Sequence, residues 1–129
     1  MSSHAENVIY KLLSPVIWVA ERLGTSRQVQ REPEVQADIE RACCQLALYQ
    51  FRSCPFCIKV RREMTRLDLP IEVRDAQLDP EHREALKMGG GRVKVPCLRI
   101  IHEDGQVEWL YESDDIIVYL RRRFAESEQ

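Results

Sequence analysis

The stretch QLALYQFRSCPFCIKVRREMTRL, Gln45 to Leu67, switches from one hydrophobic period to another in its middle. Over Gln45 to Gln50, the residues Leu46, Leu48 and Tyr49 suit a buried strand. From Pro55 to Leu67, Cys57, Val60, Met64 and Leu67 recur at helical intervals, and Lys59, Arg61, Arg62 and Arg66 fall largely on the remaining surface. Pro55 suits the first helical position, because the N–H it lacks is one that a helix start leaves unbonded. Cys54 is therefore expected where a strand ends and a helix begins.

A C-x-x-C pair by itself is ambiguous, since it can ligate zinc, hold a cluster or exchange disulfides. Placement favours the last. The free N–H groups of a helix start face a sulfur at Cys54 and favour its thiolate. Arg52, two residues upstream, adds a positive charge. Together these lower a cysteine pKa from about 8.5 into the roughly 3.5–7.5 range of activated thiols. Cys54 is the expected exposed nucleophile. Cys57, a helical turn further in and on the apolar stripe, is the expected resolving thiol that attacks a mixed disulfide on Cys54. The competing reading is a zinc site completed by Cys43 and Cys44, but adjacent cysteines are an unusual ligand pair and no second C-x-x-C exists.

Downstream, Ile71 to Arg74 reads as a short strand, and Asp79-Pro80 as the cap and first residue of a helix running to about Met88 and ended by Gly89-Gly90-Gly91. Pro96 to Ile101 and Val107 to Tyr111 flank the polar turn Glu103-Asp104-Gly105, the pattern of a β-hairpin. Ser113 suits the N-cap of a last helix, with Asp114 and Asp115 in its first turn and Arg121, Arg122 and Arg123 in its last. Ile116, Ile117, Leu120 and Phe124 form its buried stripe. The order is β-α-β-α-β-β-α, which periodicity alone supports only as an α/β or α+β domain.

Upstream, apolar pairs between Asn7 and Leu23 gather on one helical face, as one kinked helix or two short ones meeting at Ser14-Pro15. The run is too short to span a bilayer. It is expected to pack on the domain or a second copy, or to attach to a membrane surface. Thr25 to Asp38 reads as a polar linker, so residues 1–38 form an N-terminal helical extension and linker and residues 39–129 the catalytic domain. Five cysteines, an odd count with tight pairs, fit a disulfide framework poorly. A net charge of −2 gives no general attraction to nucleic acid. With no secretory signal evident at the N-terminus, the protein is expected to be cytoplasmic, with membrane-peripheral attachment left open.

From Leu46 to Phe124 the chain resembles the glutaredoxin family, on three features in order: Cys54-Pro55-Phe56-Cys57 after a strand, Val95-Pro96 before a strand, and Ser113-Asp114-Asp115 opening the last helix. The resemblance implies a thioredoxin-like α/β fold, a mixed sheet flanked by helices, and glutathione as co-substrate with no bound metal or cofactor. It implies that Pro96 is cis beside the thiols and that the Val95 backbone pairs with the tripeptide. The γ-glutamyl end would then meet Ser113 with Glu112 or Asp114. Arg52, and less directly Lys94 or Arg92, would face the glycine carboxylate, and Phe56 would border the groove.

The chain departs from glutaredoxins at Tyr111-Glu112, where that family usually has a glycine pair, and Glu112-Ser113 instead resembles glutathione S-transferase N-terminal domains. A transferase needs a second, all-helical domain, and five residues follow Phe124, so a free-standing transferase is not expected. Cys97 beside Pro96 is also atypical, and is expected to be a small buried side chain, the alternative being a third redox partner. The expected function is reduction of protein disulfides or glutathione mixed disulfides. The alternative is a non-enzymatic glutathione-binding adaptor or iron–sulfur cluster carrier.

Overall fold

The computed structural model describes residues 28–125, so the expected helices between Asn7 and Leu23 lie outside the described residues. The elements are α1 (Pro33–Cys43), β1 (Leu46–Gln50), α2 (Pro55–Arg66), β2 (Glu72–Asp75), α3 (Pro80–Gly90), β3 (Cys97–Ile101), β4 (Val107–Tyr111) and α4 (Ser113–Leu120), followed by a π-helical turn (Arg121–Ala125). The strands form one sheet in the order β2-β1-β3-β4. β1 and β2 run parallel, and the other pairs are antiparallel.

Alternation along the central strands sorts the side chains into two layers. Leu46, Leu48, Leu98 and Ile100 face one side, packed with Val60 and Met64 of α2 and Ile116 and Leu120 of α4. Ala47, Tyr49 and Cys97 face the other, with Leu86 of α3 and the rings of Trp109 and Tyr111. Every residue of β1 is buried, as a strand covered on both faces requires.

The expected linker is in part a helix. Pro33 occupies the first turn of α1, and the stripe Val35, Ile39, Ala42 and Cys43 packs against the larger core. Even the residues before it are tied down: the Val29 N–H donates to the Arg66 carbonyl at 2.9 Å, and the Gln28 amide to the Thr65 carbonyl at 3.0 Å. The apolar positions of α1 are too sparse for the linker stretch to show a helical period before its packing surface is known.

Two further boundaries differ from expectation. α3 continues through Gly89 and Gly90, and only glycine fits at either, since a Cβ would stand 2.1 Å from Trp109 at the first and 2.0 Å from the Tyr111 hydroxyl at the second. Gly91, at φ 97°, is the left-handed residue that stops the helix. At α4 the cap is Glu112, not Ser113, with φ 74°, and Ser113 is the buried first helical residue. The expected cap at Asp79 is present, its carboxylate accepting from the N–H groups of Glu81 and His82.

Candidate functional site

Register brings the sequence motifs to one end of the sheet. Cys97 pairs with Tyr49 on β1 and with Tyr111 on β4. The C-terminal ends of β1 and β4 and the N-terminal start of β3 therefore meet at the same edge. The chain leaves β1 there into Cys54, enters β3 there through Val95-Pro96, and leaves β4 there into Glu112-Ser113-Asp114. The Val95–Pro96 bond is cis, and Pro96 is buried.

Cys54 is the cap of α2, with extended backbone, and its carbonyl accepts the first helical bond from the Ile58 N–H at 2.9 Å. Its sulfur makes no well-aligned capping bond, but lies close enough to the amides of Cys57 and Phe56 to be stabilised by them. Partial burial pushes the thiol up. The Cys57 amide and thiol, the Phe56 amide and the charge of Arg61 outweigh that and leave it below its ordinary value. Cys57 is the opposite case: fully buried, it is pushed up to about 12 by desolvation, with the Phe51 backbone acting against the shift and Cys54 adding to it. The surroundings thus favour the thiolate of one cysteine and the protonated thiol of the other.

The leading charge acting on Cys54 is that of Arg61, ahead of the expected Arg52. Arg61 is held in place by Gln50 and by the Arg52 carbonyl, the latter at 3.1 Å. The Arg52 side chain is exposed, and its charge bears on Asp75. Sequence distance misled here, because a residue two turns along the helix folds back toward the end of β1. Phe56 is 60% exposed, a bare aromatic face beside the nucleophile.

Two of the three acidic residues opening α4, Glu112 and Asp114, are ion-paired across the site. Glu112 meets Lys94 at 2.6 Å, and Asp114 meets Lys59 at 2.6 Å. The first pair ties the loop before β3 to the start of α4, and the second ties α2 to it. The Lys94 charge holds the Glu112 carboxyl below its ordinary range. Lys59 is a site residue that sequence reasoning left on a solvent-facing surface.

Cys97 lies in the α3-side layer with Tyr49 and Leu86, away from the layer that receives α2. Desolvation pushes its thiol up to about 12. Cys97 is thus a small buried side chain, 0% exposed. Cys43 is likewise buried and raised to about 12, and Cys44 is exposed. Among the described residues no group of three or more His, Cys, Asp or Glu side chains is placed to hold a metal ion, and no helix is long and apolar enough to cross a membrane.

A mixed sheet with a C-P-F-C pair opening α2 and a cis-proline entering β3 defines a thioredoxin-like fold. The chain belongs to the family described as glutathione S-transferase, N-terminal domain, which residues 48–128 match. It is 34% identical over 103 residues to prostaglandin E synthase 2 of Mus musculus, covering 75% of this chain and 26% of that protein. With the same-named protein of Danio rerio it shares 38% over 76 residues, covering 59% and 18%. The chain thus spans about a quarter or less of these relatives.

Among solved structures, a glutathione transferase family member from Pseudomonas fluorescens with two glutathione bound superposes with a TM-score of 0.50 at 21% identity, over 71% of this chain and 41% of that one. A wheat glutaredoxin gives 0.46 at 21%, over 70% and 84%. The resemblance to transferase N-terminal domains carried by Glu112-Ser113 is the one the family match follows.

Proposed function

We propose that the protein is a glutathione-dependent thiol–disulfide oxidoreductase. The observation that carries this reading is the asymmetric dithiol: Cys54, lowered at a helix start, beside Cys57, buried and raised to about 12. Cys54 thiolate attacks the glutathione sulfur of a mixed disulfide, and the substrate thiolate leaves and takes a proton. A second glutathione thiolate then attacks the Cys54 mixed disulfide, releasing oxidised glutathione and the Cys54 thiolate. For a protein disulfide, Cys57 resolves instead, after giving up its proton.

In this reading the Val95 backbone holds the tripeptide by antiparallel main-chain hydrogen bonds. Ser113, Glu112 and Asp114 receive the γ-glutamyl end, Arg52 and Lys94 face the glycine carboxylate, and Phe56 walls the groove. The ion pairs of Glu112 and Asp114 with lysines open to admit the zwitterionic end.

The test is glutathione-dependent reduction of a small mixed disulfide, coupled to glutathione reductase, for wild type and Cys54→Ser. Turnover lost in the variant supports the reading. No turnover in reduced wild type would transfer weight to a glutathione-binding adaptor. A second reading, prostaglandin E formation, is favoured by the identity to the two synthases, and an assay of that product on the same preparation checks it.

A further inference from the structure

Tyr111 closes β4, opposite Cys97 in the β3 register. Its hydroxyl donates to the Arg92 carbonyl at 2.8 Å, and the Arg92 guanidinium lies over the same ring, 4.7 Å from its centroid. The buried Cys97 packs in the same layer as this ring. On the helix side, Gly90 leaves the space the hydroxyl occupies, where a Cβ would stand 2.0 Å from its oxygen. One side chain thus touches α3, β3 and the segment joining them.

That segment, between Gly91 and Pro96, forms neither helix nor strand. It nevertheless carries Lys94 and Val95, whose placement decides whether a tripeptide can be bound. A glycine at this position would supply neither the hydroxyl nor the ring. The loop is therefore fastened here by contacts that a glycine at this place could not make.

We infer that Tyr111 is a positioning residue for the glutathione-binding loop: by bonding the Arg92 carbonyl and stacking under its guanidinium, it sets the Val95 backbone in the pose that receives the tripeptide. This rests on the oxidoreductase reading for the role of Val95. Tyr111 acts on the loop and not on the sulfur, so its loss weakens glutathione capture without altering Cys54.

The experiment is Tyr111→Phe, which keeps the ring, its stacking and its packing and removes only the donor. With one neutral hydrogen bond lost, KM for glutathione should rise roughly two- to twelvefold. The turnover number and the Cys54 alkylation rate should stay at wild-type values, and amide exchange of residues 92–95 should quicken. Unchanged KM with wild-type exchange would overturn the inference. So would a parallel fall in turnover and Cys54 alkylation, which would locate the effect at the thiol or the whole fold. If wild type shows no turnover, the oxidoreductase reading fails by itself. Loop exchange and calorimetric glutathione binding in the two proteins then still decide the role of Tyr111.

Discussion

The five cysteines lie in different surroundings, and their environments, not their spacing, set their chemistry. Cys54 was legible in the sequence because a strand period, a proline and a helix period meet there. The charge that tunes it was not, since Arg61 reaches the site only through the fold. Arg61→Gln should raise the pH midpoint of Cys54 alkylation by iodoacetamide, and Arg52→Gln should raise it less. A larger shift for Arg52→Gln would return the role to Arg52. The buried thiols predict a second pH effect. Cys43, Cys57 and Cys97 have folded values of about 12 against an ordinary 9, so the folded state favours their protonated forms. Their stabilising contribution is complete below pH 9 and is lost as pH climbs toward about 12. Cys54, shifted the other way, contributes above its unfolded value and loses that contribution as pH falls through its folded one. Circular dichroism of the reduced domain should show unfolding in the alkaline window. Cys97→Ala should lose stability less steeply there, relative to its own stability near neutral pH.

Among the elements, α2 is anchored at its far end by a charge. Glu63 is 7% exposed and accepts hydrogen bonds from Arg66 on its own helix and from Arg121 in the turn after α4. Burial alone would raise its pKa, but the two arginines win and hold it at about 2, against an ordinary 4.5. The helix that presents Cys54 is thereby fastened to the helix that follows Glu112. Glu63→Gln should cost about 2 kcal/mol, because both arginines keep access to water and only the charge-assisted bonds are lost. The deficit should be full above pH 4.5 and shrink as pH falls toward about 2. A urea titration across that range measures it, and a deficit independent of pH would mean that packing alone is responsible. Elements with a continuous stripe, such as α2 and the β3–β4 hairpin, were readable from periodicity. α1 was not, because its sparse apolar positions make sense only against a core assembled from distant segments. Nor was the run of α3 through Gly89 and Gly90, which are glycines because two rings on β4 leave no room for a side chain.

For the molecule as a whole, the order of elements could be read along the chain, but the parallel pairing of β2 with β1 and the sorting of side chains into two layers could not. Those depend on which helix crosses which face. The arrangement gathers three loops at one end of the sheet and leaves the remaining core to hold them there. Such domains are held folded by a small margin, so a single unfavourable residue is felt globally. Glu112 is one: at φ 74° it occupies a conformation that suits glycine and disfavours any residue with a Cβ. The chain thus retains a side chain where bare backbone would be more comfortable. Glu112→Gly should raise the melting temperature of the domain by a few degrees while weakening glutathione binding, a trade of robustness for recognition that selection for thermostability alone would reverse.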